Sequence, residues 1–194
     1  MGSEFEMSMM GELNFFLCLK VKQSPKGTSI CQQKYIQELL KRSDMEASKV
    51  IDTPIATATP CARFQSNPKE SHLKAAKRIL RYLKGTQDLA LYYPSGDNFN
   101  LIGYTDADYV GYLVDRKSTS GMAHFLGSCL IFWGTRKQNS VALSTTEAEY
   151  VAATSCCAQL LWIKQQLEDF GVLTESVPLL RDNTSALNMA KNPF

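Results

Sequence analysis

Alternating apolar and polar residues divide the N-terminal part of the chain into a hairpin, a helix and a linker. Residues 15–21 (FFLCLKV) and 28–31 (TSIC) alternate as strands, and SPKG at 24–27 predicts the turn between them. The segment 32–45, QQKYIQELLKRSDM, gathers its apolar residues on one side and predicts a short amphipathic helix. VIDTPIATATP at 50–60 is rich in Thr, Pro and Ala, so we expect a linker and the main domain boundary there.

The segment 67–86, NPKESHLKAAKRILRYLKGT, predicts a helix with one apolar and one basic side. Asn67 is placed to cap its N-terminus, Pro68 suits the first helical position, and Glu70 completes a capping box. The basic side can follow nucleic-acid phosphates, but such stripes are as often ordinary solvated surface.

The C-terminal half combines strand patterns with helices. LALYYP, NLIGYT, MAHFL and LIFWGT alternate as strands between glycine-containing loops, which predicts an antiparallel meander. A long helix over 145–171 ends at Gly171, and the strand VPLLRDN and the helix SALNMAKN follow. We therefore expect an α/β domain over 99–194, a basic connecting helix and strand over 67–98, and a small α+β appendage over 1–49.

Composition narrows the class of protein. With 194 residues and 44% hydrophobic residues the chain can bury a core, and its apolar runs fall short of the ~20 residues that a membrane span needs. Six cysteines without a CxxC pair, and only two histidines, argue against a zinc cage. The N-terminus lacks the basic region of a signal peptide, so we expect a reducing intracellular setting, cytoplasmic or nuclear.

Charge is unevenly distributed, although the net charge is only +2. Residues 61–100 hold seven Lys and Arg against three acids, whereas residues 101–194 hold seven against nine. A basic flank beside an acidic segment suits a nuclease with a carboxylate metal site, and ordinary solvated surface is the alternative.

Three acidic residues occupy positions where chain segments of an α/β sheet converge. Asp106 in YTDADYVG and Asp182 in RDN end strands, and Glu147 lies in the first turn of the long helix. Converging carboxylates would hold Mg²⁺ or Mn²⁺, which prefer oxygen ligands. Each acid also has a structural explanation: Glu147 can form a capping box with Ser144, as Glu149 can with Thr146. Asp106 and Asp108 can simply end a strand, and Asp182 with Asn183 can form a turn or a helix N-cap.

Several long blocks resemble the ribonuclease H domain of copia-type LTR retrotransposon Pol polyproteins. They are CARFQSNPKESHLKAAKRILRYLKGT, GYTDADYVG, DRKSTSG, FWGTRKQNSVALSTTEAEYVAA and RDNTSALNMAKNP, in that order. Residues 5–50 resemble the end of the preceding reverse transcriptase, although its YxDD-type motif is missing.

The resemblance implies a ribonuclease H-like fold that cuts the RNA strand of an RNA–DNA hybrid with Mg²⁺ or Mn²⁺. Carried over by position, Asp106, Glu147 and Asp182 are the catalytic metal ligands, and Asp108 is the lesser choice. Residues expected to contact nucleic acid are Arg116, Lys117, Ser118, Thr119, Arg136, Lys137, Gln138 and Asn183. Trp133 and Trp162 lie in apolar runs, so we expect them in the core rather than stacked on sugars.

The sequence also departs from the family pattern. The family continues beyond AKNP with a strand, a helix and a further aspartate, so we expect a C-terminally truncated domain with weak or lost turnover. The shortened stretch over 50–66 suggests an internal deletion at Pro60–Cys61. A catalytically degraded or co-opted binding module is therefore the alternative function, and a fragment that self-associates through an uncovered sheet edge beside VPLLRDN is a third.

Overall fold

The chain forms two compact units, residues 1–95 and 96–194. A computed structural model describes residues 11–55, 67–96, 98–111, 116–172 and 176–191. The predicted deletion join at Pro60–Cys61 lies outside these residues. None of the described helices is both long and apolar enough to cross a membrane.

The N-terminal unit contains an antiparallel sheet and two helices. Its strands are β1 (Phe15–Phe16), β2 (Leu19–Ser24), β3 (Gly27–Cys31) and β4 (Ala90–Pro94), paired in that order. The predicted strand over 15–21 is divided in two because Leu17 and Cys18 adopt positive φ angles of 46° and 67°. The predicted turn is confirmed, since Ser24 pairs with Gly27 across Pro25 and Lys26.

Two helices lie between β3 and β4 in the chain and pack against each other. Helix α1 (Gln33–Arg42) buries Ile36 and Leu40, which pack with Met45 and with Leu80 and Leu83 of α2 (Glu70–Gly85). The N-cap of α2 is Lys69 and not Asn67, because the backbone at Lys69 is still extended and its N–H donates to Nδ1 of His72 at 3.0 Å. The predicted meander is also wrong for its first strand, LALYYP. This segment forms β4, which pairs with β3 of the N-terminal unit and not with the strand that follows it in the chain.

The C-terminal unit is a mixed sheet packed against a long helix. Its elements are β5 (Leu101–Asp108), β6 (Thr119–Leu126), β7 (Cys129–Lys137), α3 (Thr145–Asp169), β8 (Leu179–Leu180) and α4 (Thr184–Lys191). The sheet order is β7-β6-β5-β8, with β8 parallel to β5 and the other pairs antiparallel. The predicted α/β class is confirmed, and the arrangement is consistent with a ribonuclease H-like fold.

The core of this unit lies between α3 and the sheet. Leu101, Cys156, Leu160 and Ile163 are buried there together. Gly103 of β5 lies directly under Leu160, so that a Cβ atom at this position would overlap Cδ1 of the leucine. Helix α3 packs along β5 from this contact, so its N-terminal part lies near the other end of the strand, where the acidic residues begin.

Candidate metal centre

The end of β5 presents Asp106 on the side of the sheet that α3 does not cover. Side chains alternate along a strand, and Thr105 is buried while its neighbours Tyr104 and Asp106 are exposed. Asp106 pairs with Gly121 of β6, which leaves open space beside the carboxylate because glycine has no side chain. Asp182 follows β8, which pairs with the edge of β5 opposite to β6.

The start of α3 is fixed by a pair of capping contacts. Ser144 has an extended backbone, and its hydroxyl accepts a hydrogen bond from the backbone N–H of Glu147 at 3.1 Å. The carboxylate of Glu147 in turn accepts from the backbone N–H of Leu143 at 2.7 Å. Both contacts satisfy N–H groups that would otherwise lack partners at the helix start, so the exposed Glu147 side chain has a structural role here.

Glu149, two residues further along, points in the other direction into the protein. Its side chain is only 5% exposed, and Oε1 accepts a hydrogen bond from the backbone N–H of Ala107 at 3.2 Å. The other oxygen, Oε2, is buried without a hydrogen-bond partner among the described residues. A buried carboxylate with an unsatisfied oxygen is costly unless a positive charge or a proton compensates it.

The electrostatic surroundings of Glu149 favour its protonated form. Burial raises the pKa of this carboxyl, the Ala107 N–H opposes the rise, and the negative charges of Asp106 and Asp182 add to it. The positive charge of Arg181 lowers the pKa in part. A divalent cation beside Oε2 would reverse this balance by stabilising the ionised form.

Asp106, Glu149 and Asp182 together form an acidic cluster. One carboxylate oxygen of each residue lies within 4.8 Å of the others. Three hard oxygen donors at this spacing, one of them buried and unpartnered, fit Mg²⁺ or Mn²⁺. The residues present can therefore hold a divalent metal ion.

The structure brings two of the three predicted ligands together and corrects the third. Glu147 is outside the cluster because successive helix residues are turned by about 100°, so residues two apart point to nearly opposite sides. The sequence contained a signal for Glu149, because this residue falls on the same side of α3 as the buried residues Ala152, Cys156 and Leu160. A charged residue on an otherwise apolar side of a helix needs a polar or charged partner. The predicted capping box with Thr146 gave Glu149 no such partner inside the protein. Asp108 is exposed and packs beside Gly111, outside the cluster.

The residues predicted to contact nucleic acid divide into buried and exposed groups. Ser118 is 0% exposed and Gln138 is 5% exposed, so neither side chain can reach a duplex in this conformation, and these two predictions are corrected. Asn183 caps α4, since its side-chain oxygen accepts from the N–H of Ala186 at 2.9 Å. The others lie at the surface or are half-buried there: Arg116, Lys117, Thr119, Arg136 and Lys137.

An apolar groove adjoins the acidic cluster. Its volume is about 650 Å³, and Tyr104, Trp133 and Leu180 line it together with Asp106 and Asp182. The expectation that both tryptophans are buried is wrong, because Trp133 is 60% exposed and Trp162 is 57% exposed. The acidic cluster therefore borders a surface that offers planar and apolar contacts.

Pol polyproteins of two transposons are similar to this chain over nearly all of its length. It is 30% identical over 232 residues to the "Retrovirus-related Pol polyprotein from transposon RE1" of Arabidopsis thaliana, covering 100% of this chain and 16% of the relative. It is 30% identical over 239 residues to the "Retrovirus-related Pol polyprotein from transposon TNT 1-94" of Nicotiana tabacum, covering 99% of this chain and 18% of the relative. Both matches are longer than the 194 residues of this chain, so these relatives contain residues that it lacks.

A shorter relative matches about half of the chain. "Secreted RxLR effector protein 161" of Plasmopara viticola is 39% identical over 102 residues, which cover 53% of this chain and 72% of the relative. No family model matches the chain, and no solved structure matches it either. The chain spans less than a fifth of the Pol polyproteins that it matches. It belongs to a family of sequences that includes these segments of transposon Pol polyproteins and the effector protein.

Proposed function

We propose that this chain is a ribonuclease H-type endonuclease that hydrolyses the RNA strand of an RNA–DNA hybrid with Mg²⁺ or Mn²⁺. The observation that carries the proposal is the cluster of Asp106, Glu149 and Asp182, whose carboxylate oxygens lie within 4.8 Å of one another. The similarity to Pol polyproteins, which belong to transposons, supports a role on nucleic acid.

The three carboxylates have complementary environments for this chemistry. Asp106 and Asp182 are exposed and accessible to a phosphate-bearing ligand, whereas Glu149 is buried and hydrogen-bonded to the β5 backbone. Glu149 thus provides a fixed donor, and the two aspartates complete the site from the solvent side. The bound metal ions would activate water and neutralise developing charge during in-line cleavage of the phosphodiester.

Basic side chains near the sheet are suited to orient a duplex. Arg116 and Arg136 are exposed, and both can contact backbone phosphates without reading the base sequence. Selection of a hybrid would then depend on groove shape and on the 2′-hydroxyl of the RNA strand. These contacts predict that binding weakens as the salt concentration rises.

The direct test is cleavage of a labelled RNA–DNA hybrid in the presence of Mg²⁺ or Mn²⁺. We expect Asp106→Asn, Glu149→Gln and Asp182→Asn to lower the rate roughly 100-fold or more, because even residues behind metal ligands cost about 10–100-fold. Glu147→Gln is the matched control, since glutamine retains the capping contact to Leu143 and should cut at the wild-type rate. A chelator should abolish cleavage.

The control variant makes the assignment specific. Equal cleavage by the wild type and the Glu149→Gln variant would reject Glu149 as a metal ligand. If Glu147→Gln also lost cleavage, Glu147 would be the ligand instead. Each variant is purified in parallel, so that a contaminating nuclease would appear equally in all preparations.

A second candidate function is a nucleic-acid or protein-binding module that keeps the fold without the chemistry. The similarity to a protein named as a secreted effector favours it, because 72% of that relative matches this chain. This alternative predicts salt-sensitive hybrid binding with no cleavage at any metal concentration. Filter binding at two salt concentrations, run beside the cleavage assay, separates the two functions.

A further inference from the structure

Gln138 connects the end of β7 to the beginning of α3. Its side-chain amide nitrogen donates to the backbone oxygen of Ala148 at 2.8 Å and to the hydroxyl of Ser120 at 3.0 Å. Gln138 is 5% exposed and Ser120 is 3% exposed, so both hydrogen bonds are shielded from water. Ala148 directly precedes Glu149, and Gln138 therefore contacts the helical turn from which the buried metal ligand projects.

Gln138 is also linked, through Ser118, to the residues that follow β5. Its backbone N–H donates to the backbone oxygen of Ser118 at 2.9 Å. The Ser118 hydroxyl accepts from the backbone N–H of Val110 at 3.2 Å, just beyond the end of β5. A continuous set of hydrogen bonds thus joins the chain after Asp106 to the first turn of α3.

Burial makes these hydrogen bonds difficult to replace. If Gln138 is removed, the Ala148 carbonyl and the Ser120 hydroxyl lose a donor in a place that water reaches poorly. The Ala148 carbonyl keeps its hydrogen bond within α3, so the loss is that of the contact that ties this turn of the helix to β7. Without that contact, the start of the helix can move away from the sheet. A shift there would carry Glu149 away from Asp106, because the Glu149 carboxylate contacts the β5 backbone through one hydrogen bond at 3.2 Å.

We propose that Gln138 is a positioning residue that fixes Glu149 relative to Asp106, rather than a contact for nucleic acid. This inference rests on the proposed function, because that function makes the Glu149 carboxylate a metal ligand. The role requires a side chain that reaches from β7 to α3 and donates a hydrogen bond at its end. Glutamine meets both requirements, and its neighbour Lys137 lies on the other side of the strand.

The test compares Gln138→Met with Gln165→Met in the 194-residue chain. Methionine has a similar length and volume but no amide, and Gln165 is an exposed residue further along α3. Mn²⁺ is titrated into each protein, and the free ion is measured by electron paramagnetic resonance. We expect Gln138→Met to weaken Mn²⁺ binding about 10-fold, as supporting residues of metal sites do, and Gln165→Met to bind as the wild type.

A second measurement separates positioning from general loss of stability. Backbone amide exchange at Ala148 and Glu149 is measured by NMR in metal-free protein, with Ile163→Val as a mildly destabilised control from the same buried stripe. We expect faster exchange at these two amides in Gln138→Met alone. Wild-type Mn²⁺ affinity together with wild-type exchange in this variant would overturn the proposal.

The two measurements also distinguish this inference from the proposed function. If the wild-type protein binds no Mn²⁺, the proposed metal-dependent nuclease is rejected, and amide exchange alone then decides whether Gln138 positions Glu149. If Gln138→Met does not fold, Gln138→Asn is used under the same criteria. Asparagine keeps the amide but is one methylene too short to reach Ala148.

Discussion

The two faces of the C-terminal sheet differ in what surrounds them. On the face toward α3, His124 is fully buried and its Nε2 lies 3.2 Å from Sγ of Cys156. Burial raises the pKa of the Cys156 thiol to about 11 and lowers the pKa of His124, so both groups are held neutral. On the opposite face, Tyr104, Trp133 and Leu180 are 44%, 60% and 45% exposed.

This difference shows that apolar character alone does not decide burial. Phe132 and Trp133 are adjacent in β7, yet Phe132 packs against the buried core while Trp133 lies at the surface. The side on which each points follows from strand alternation, and α3 covers only one of those sides. The acidic cluster lies where the two faces meet, with Asp106 from the exposed face and Glu149 from the covered one.

The largest difference between the faces should appear in stability. Leu160→Ala removes a side chain that is 3% exposed, and we expect a loss of about 2–5 kcal/mol in the free energy of unfolding. Trp133→Ala removes a larger side chain that is 60% exposed, and we expect a change within about 0.5 kcal/mol. Urea unfolding of both variants measures the contrast. Equal losses would show that another part of the protein covers Trp133.

Two glycines test the same contrast by adding a methyl group. In Gly103→Ala the new Cβ would overlap Leu160, which is buried and cannot move freely, so we expect a loss of about 1–3 kcal/mol. In Gly121→Ala the nearest atom is the backbone oxygen of Asp106 at 3.8 Å, an ordinary contact, and we expect little change. Thermal unfolding of the pair provides the measurement. A destabilised Gly121→Ala with an unchanged Gly103→Ala would reverse the assignment of the faces.

The smallest effect concerns the charge on Glu149 in metal-free protein. Because its folded-state pKa is raised, the associated stability is present below the unfolded-state pKa and is lost as pH rises through the folded-state value. Glu149→Gln removes this titration, so the variant should become more stable relative to the wild type as pH rises. Unfolding in the presence of a chelator at several pH values checks the trend. A pH-independent difference would contradict the raised pKa.

Local signals in the sequence predicted most elements but not all of their partners. The turn after Ser24, the long helix and the α/β order follow from residue patterns, as does the capping role that Glu147 performs. The pairing of β4 with β3 was not predictable from neighbouring residues, because the two strands are separated by both helices of the N-terminal unit. Long-range pairing depends on which edge is available after the helices have packed.

The candidate site shows the same division. The sequence pointed to Asp106 and Asp182 because each stands near the end of an apolar strand pattern. It pointed to Glu147, wrongly, because this residue lies in the first turn of the long helix and matches the family's glutamate in TTEAE. The choice of Glu149 over Glu147 depended on the rotation of α3 against the sheet, which contacts such as Leu160 over Gly103 establish. Ser118 and Gln138 appeared in polar loop sequences typical of surface contacts, but their hydrogen bonds place them inside.

The sequence by itself determined the fold class, the helix and strand patterns, and the strand ends where two carboxylates lie. These properties depend on local periodicity, capping and turn chemistry, which neighbouring residues encode directly. Only the tertiary structure decided which glutamate joins the aspartates, which face of the sheet is exposed, and which polar residues are buried. Those outcomes depend on how α3 packs on the sheet, and packing is set by contacts between residues that are far apart in the chain.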